Sequence, residues 1–232
     1  ESGGMAVNGT LFITNSRVYL VNTVFSNNQG KRGSAIYAHS SMVGILTSLF
    51  WGNTNQEYGV FYGENSFYYG LTNAYLNNVS VGMSNADAQL LLIGGGAVVS
   101  NHVFGGFRLL SASGIPLLHI YGRDMNPFVV HGNSFGSIEG NTFFGVALWM
   151  QGNPQSVSLR NNIFLGASWT ALVKEGGFGG YELRQNSFTL SGYTNLFIEI
   201  TSTATNIITN MGDLNTPART KATLDSTDNT GM

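Results

Sequence analysis

Cysteine is absent from this chain, which excludes a disulfide framework and any thiolate metal site and leaves the redox compartment unmarked. Charge is scarce as well. Only 9% of the 232 residues are charged while 43% are hydrophobic, so this is not the charge-rich, core-poor composition of a disordered protein. The surface has to be built from Asn, Ser, Thr and Gly instead. The net charge of -2 and the scattering of the ten Lys and Arg residues provide no basic patch, so neither nucleic acid nor an anionic membrane is expected as a partner. No apolar run approaches the roughly 18 residues of a membrane-spanning helix. The opening Glu1-Ser2-Gly3-Gly4 lacks both an initiator Met and a signal-peptide pattern, and the chain is expected to be a processed or trimmed piece of a longer protein.

Proline is scarce too, with four residues, whereas glycine is plentiful, with 31. Glycine on that scale destabilises helices, and no Gly-X-Y period points to collagen, so strands and turns remain. Two successive copies of one pattern give those strands an order. They run from Val146 to Phe164 and from Thr170 to Phe188. Each has an apolar run, a Gly-containing turn, a second alternating run and a polar pair closed by Phe. Their offset of about 24 residues is that of a stacked-coil repeat.

With the closing Phe as marker, the same position recurs at Phe25, Phe50, Leu76, Phe104, Phe135, Phe164 and Phe188. Two places earlier stand Thr23, Ser48, Ala74, His102, Asn133, Asn162 and Asn186. In a parallel solenoid, equivalent side chains stack about 4.8 Å apart, so the two columns predict a Phe stack inside and an Asn or Ser/Thr ladder at a bend. The predicted fold class is all-β, a single-stranded parallel β-helix of about eight coils over 1–210. The polar residues 211–232 are expected to form a loose tail or strap. Asn141-Thr142-Phe143-Phe144 half-repeats the closing motif and predicts an irregular bulge or loop.

Asn161 to Phe164 and Gln185 to Phe188 resemble the generic repeat of the right-handed parallel β-helix superfamily, the pectin-lyase-like proteins. In the first half, Gly33-Ser34-Ala35-Ile36, Phe25-Ser26-Asn27-Asn28 and Phe50-Trp51-Gly52-Asn53 are similar to the repeats of polymorphic outer-membrane proteins and autotransporter passengers. That likeness stops at Leu76-Asn77-Asn78-Val79. It implies right-handedness, in line with parallel crossovers generally, and an extracellular or cell-surface setting. It says little about activity.

Alternation along the first strand of each coil places Ile36, Tyr62, Trp149, Val173 and Ile198 in one column, read as inward. The neighbouring column of Ala35, Phe61, Leu117, Leu148, Leu172 and Phe197 is then outward. Exposed, the large members Phe61, Leu117, Leu148, Leu172 and Phe197 would form an association stripe for a homo-oligomer or for neighbouring segments of a longer chain. The same alternation also fits with the two sets exchanged, because a one-residue slip reverses every side chain.

Superfamily members that cleave uronic-acid polymers carry grouped Asp residues, or Arg and Lys beside acidic calcium ligands. Here there is no Asp-Asp pair, Asn-Thr-Asp, Gly-His-Gly or Arg-x-Lys, and the four His are isolated. No metal or cofactor is expected. The nearest constellation aligns His119, Met150, Lys174 and Glu199, with Glu175 alongside. Lys174 and Glu199 equally make a surface ion pair worth about 0–1 kcal/mol. Tyr58, Tyr68 and Tyr69 belong to an aromatic cluster that serves either as a stacking platform for sugar rings or as core filling. The carbohydrate-binding candidates are thus Tyr58, Tyr68, Tyr69, His119, Lys174, Glu175 and Glu199.

Glu57, Glu64, Asp87, Asp124 and Glu139 lie in or near turns, where a facing pair would serve glycoside hydrolysis. Asn8-Gly9-Thr10 and Asn78-Val79-Ser80 match the glycosylation sequon. Gly94-Gly95-Gly96 is no phosphate loop, since no Lys-Ser/Thr follows it. The first functional expectation is a non-enzymatic extracellular module: a stalk, an adhesin passenger or a surface-assembly subunit. The rival is a carbohydrate-active enzyme, a glycoside hydrolase or polysaccharide lyase such as a virus tailspike depolymerase. Ice binding needs a flat, regular Thr array, which the mixed outward columns do not supply.

Overall fold

The corners of the molecule are set by residues that tolerate a left-handed backbone. Asn15, Ser40 and Asn65, with Gly94, hold positive φ at one corner of four successive coils. Asn22, Thr47, Thr72, Asn101, Gly132, Asn161 and Gln185 do so at the next. Asn dominates because its short amide compensates the left-handed geometry locally, and Gly has no Cβ to clash. Between corners the chain is extended, in strands of two to five residues at first and up to eight later.

The computed structural model describes residues 6–81, 88, 90–105, 107–109, 116–122, 128–136, 138–140, 146–152, 156–165, 168–176, 181–189, 193–200, 205–210, 224–227 and 229–231. These form four sheets, here A to D, with six, nine, eight and eight strands. The first coil shows the plan. Leu11–Thr14 lies in sheet B, Arg17–Val21 in C, Val24–Ser26 in D and Gln29–Arg32 in A. Each strand pairs in parallel with its counterpart one coil later, as in Leu11↔Ile36, Val18↔Val43 and Phe25↔Phe50. The fold is a parallel β-solenoid.

Five coils carry strands on all four sides, ending with Ile138–Gly140 in sheet A. Among the described residues, the coils after that continue on sheets B, C and D alone. The eight coils expected are therefore five complete ones followed by three-sided turns. Sheet B ends in an antiparallel hairpin, where Tyr193–Ile200 pairs with Thr205–Ile208. Leu224–Thr227 then pairs with Tyr181–Arg184 in sheet C, and Thr230–Gly231 with Ser187–Phe188 in sheet D. Of the residues from 211 on, expected as a loose tail or strap, the described ones pair with the last coil. The bulge expected at Asn141–Phe144 lies outside the described residues.

Inside, Phe25, Phe50, Tyr75, Phe104, Phe135, Phe164 and Phe188 form one stack, with successive centroids 4.4 to 5.3 Å apart. The third member is Tyr75, not Leu76, since Tyr75 pairs with both Phe50 and Phe104. The polar column shifts with it, from Ala74 to Asn73. Its ladder works as chemistry predicts: Asn133, Asn162, Asn186 and Asn229 are all buried, and each amide oxygen accepts the backbone N–H of the preceding coil. A second ladder runs through Asn28, Asn53 and Asn78. Asn78 is fully buried in it, so its sequon presents no side chain for glycosylation in the folded protein.

The stripe expected on sheet B is overturned. Phe61, Leu117, Leu148 and Leu172 have no exposed area and belong to the core; the side chain of Phe197 lies outside the described structure. Phe61 pairs with Ile36 and Leu90, and Leu148 with Leu118 and Leu172, so this column is the inward one. The outward column runs through Phe12, Tyr37, Tyr62, Leu91, His119, Trp149, Val173 and Ile198. Ile36 is inward as read, but it aligns with Phe61 and not with Tyr62, and that slip of one residue reverses Tyr62, Trp149, Val173 and Ile198.

Candidate functional site

The three candidate tyrosines separate onto different sides. Tyr68 points into the solenoid and is fully buried, its hydroxyl 3.2 Å from Tyr75 Oη and 2.9 Å from His102 Nε2. Tyr58 stacks on Tyr62 outside sheet B, with the Arg32 guanidinium 5.3 Å from its ring centre. Tyr69 stands exposed on the outer face of sheet C.

The expected row of His119, Met150, Lys174 and Glu199 is half right. Met150, Lys174 and Glu199 do align on adjacent coils, but His119 pairs with Trp149. The side chains of Lys174 and Glu199 lie outside the described structure. His119 and Glu175 are linked by a residue the sequence reading missed: Gln151, whose Oε1 lies 2.8 Å from His119 Nε2 and whose amide donates to Glu175.

The described carboxylates do not converge. Glu57 faces Lys31 at 3.4 Å, and Glu64 accepts from Tyr37 Oη at 2.7 Å beside His39. Glu182 is held by Arg160 and Arg184. Asp87 and Asp124 lie outside the described residues, as does the side chain of Glu139. The described residues also contain no group of three or more His, Asp or Glu arranged to hold a metal.

On sheet C, Ser158 sits between His131 and Glu182, with Nε2 and Oε2 each 2.9 Å from its Oγ. The hydrogen bond from Arg160, reinforced by Ser158 and by the Arg charges, holds the Glu182 carboxyl below its ordinary range. An ionised carboxylate only accepts, so Ser158 donates to Glu182 and His131 Nε2–H donates to Ser158. That direction is opposite to the one a histidine base needs to activate a serine. The cluster fixes a surface; it does not make a nucleophile.

A groove of about 600 Å³ runs along the corner between sheets B and C, built by the same three positions on four successive coils. They are Asn15-Ser16-Arg17, Ser40-Ser41-Met42, Asn65-Ser66-Phe67 and Gly94-Gly95-Gly96. The middle serines are structural. Ser16 N–H donates to Ser41 Oγ and Ser41 N–H to Ser66 Oγ, while each hydroxyl donates to the carbonyl two residues back. Asn15, Ser40 and Asn65 are exposed, leaving their polar ends toward solvent. The fourth coil has no side chains here, and a Cβ at Gly95 would sit 1.8 Å from Ser66 O.

Beside the groove, on sheet C, the Tyr19 ring lies over Gly44: a Cβ there would meet Tyr19 Cδ1 at 2.4 Å. Tyr19 is 65% exposed, so its other face meets water. Met42, Phe67 and Tyr69 extend this apolar strip onto the next two coils. No residue lining the groove carries a carboxyl group. The signal for it was present in the sequence as Asn/Ser-Ser-X recurring at 15, 40 and 65. Comparison with protein-family models, with characterised proteins and with solved structures gave no match.

Proposed function

We propose that this chain is a non-catalytic β-helix module of a surface or secreted protein that binds a polysaccharide along the corner between sheets B and C. The observation that carries this reading is the pairing of an exposed, sheet-backed Tyr19 ring with a rim of Asn15, Ser40 and Asn65. A pyranose ring stacks its apolar C–H face on an aromatic ring and spends its hydroxyls on amides and hydroxyls. A groove without a carboxylate binds without running two-carboxylate hydrolysis. The resemblance of the first coils to autotransporter passengers supports the adhesin form of this reading.

The test is calorimetric titration with a panel of neutral and acidic oligosaccharides. Binding is expected, and Tyr19→Ala is expected to weaken it about tenfold, or about 1.4 kcal/mol, as loss of one stacked ring does. Tyr68→Phe, deep in the core, should leave affinity unchanged. Absence of binding across the panel, or release of new reducing ends, refutes the reading.

Assembly with a second copy is favoured by a separate observation. On and just after the strands of sheet D, Val24, Trp51, Val103, Ile163 and Leu165 are exposed on the first, second, fourth and sixth coils. Exposed apolar side chains scattered along one side in this way are the kind of surface that side-by-side solenoids cover. Sedimentation equilibrium should show self-association that Trp51→Lys shifts toward monomer; a monomer at every concentration removes this reading.

A further inference from the structure

Two polar atoms on the outer face of sheet B are buried and have no partner among the described residues: His119 Nδ1 and Trp149 Nε1. They belong to neighbouring coils, and their rings stack with centroids 5.4 Å apart. His119 is only 6% exposed. Buried polar atoms are almost always hydrogen-bonded, so two without partners in adjoining rings mark a place where something else completes the bonding.

What each atom requires follows from the neighbours. An ionised Glu175 only accepts, so the Gln151 amide nitrogen must face it, which turns Gln151 Oε1 toward His119. That oxygen accepts from His119 Nε2, so Nε2 carries the proton and Nδ1 is left as a bare acceptor. Trp149 Nε1–H can only donate. The pair is therefore one acceptor beside one donor. Water and alcohols both donate and accept; a carboxylate cannot donate and an ammonium cannot accept.

We propose that His119 and Trp149 form a site for a hydroxyl group, which donates to His119 Nδ1 and accepts from Trp149 Nε1–H, with Glu175 and Gln151 as positioning residues that fix the histidine tautomer. The hydroxyl is that of a bound water or of a sugar. This site lies on the fifth and sixth coils, next after the four that line the groove described above, and stands whether or not that groove binds glycan.

The experiment is nitrogen-15 NMR of the intact chain with labelled His and Trp. The His119 ring is expected as the Nε2–H tautomer, with Nδ1 shifted upfield as a hydrogen-bonded acceptor. The Trp149 indole proton, assigned with Trp149→Phe, is expected to exchange at least tenfold more slowly than that of exposed Trp51. Gln151→Leu should release the tautomer preference while the protein stays folded by circular dichroism. If neutral oligosaccharide shifts both signals, the hydroxyl is a sugar's; if it does not and the indole proton shows a cross-peak to a long-lived water, it is water. An Nδ1–H tautomer, or an Nδ1 shift typical of a free acceptor, overturns the site.

Discussion

Asn162→Leu is expected to lower the unfolding free energy by about 3–5 kcal/mol, although the two side chains have nearly the same size. Asn162 is fully buried, and its amide joins three coils. Its Oδ1 accepts from the backbone N–H and the side-chain amide of Asn133, both at 3.0 Å. Its Nδ2 donates to Val130 O at 2.8 Å and to Asn186 Oδ1 at 2.9 Å. Leucine removes two donated and two accepted hydrogen bonds and strands groups on both neighbouring coils, inside the core. Urea unfolding followed by circular dichroism measures the loss. An effect below about 1 kcal/mol would mean that the ladder satisfies its members by another route.

The second large effect is acid destabilisation centred on His102 and His119. Burial pushes each imidazole down to about 4 from its ordinary value near 6.5. The unfolded chain therefore takes up these protons first as pH falls, and the folded state resists until about pH 4. Stability from both rings is complete above pH 6.5, declines between 6.5 and 4, and is flat below. Each contributes roughly 3 kcal/mol over that window. Protonated carboxylates such as Glu182 add their own loss only at lower pH, since its pKa is depressed.

His102 occupies an Asn position in the ladder and is the better one to test. Its Nδ1 lies 2.8 Å from Ser100 O and donates there, so Nε2 accepts from Tyr68 Oη and Asn73 Nδ2. The Asn73 amide cannot turn away, because it also donates to Ile45 O at 2.7 Å. A proton on Nε2 would confront that amide. His102→Asn restores the ladder residue and should remove about half of the pH dependence between 7 and 4, read from urea midpoints. An unchanged slope would place the acid sensitivity elsewhere.

The stack and the ladders were legible because their chemistry demands repetition: a ring pairs best with a ring and an amide with an amide one coil on. The reading slipped by one residue at the third coil, where Tyr75 replaces Phe and Leu76 offers a second apolar choice. It failed on sheet B for a related reason. Leu90, Leu91 and Leu92 are all buried, so the run has no polar alternation to show which side faces in. The closing strands 224–231 were hidden by their polarity, apart from Asn229. The groove is made of short side chains at corners, and its triplets are visible only once the period of 25 is imposed on them.

The amides of the ladder all point the same way. From Ser48 to Asn73, and again from His102 through Asn133 and Asn162 to Asn186, a backbone N–H donates to the amide oxygen of the next coil, 24 to 31 residues on. A chain emerging N-terminus first can thus add one coil at a time, each docking on a surface already complete. The last step is different. Asn186 waits for Asn229, 43 residues on, across the hairpin of sheet B. That contact acts as a clasp which closes only once the hairpin and the strands after it have been made, and until then the growing end offers its donors to any strand that will take them.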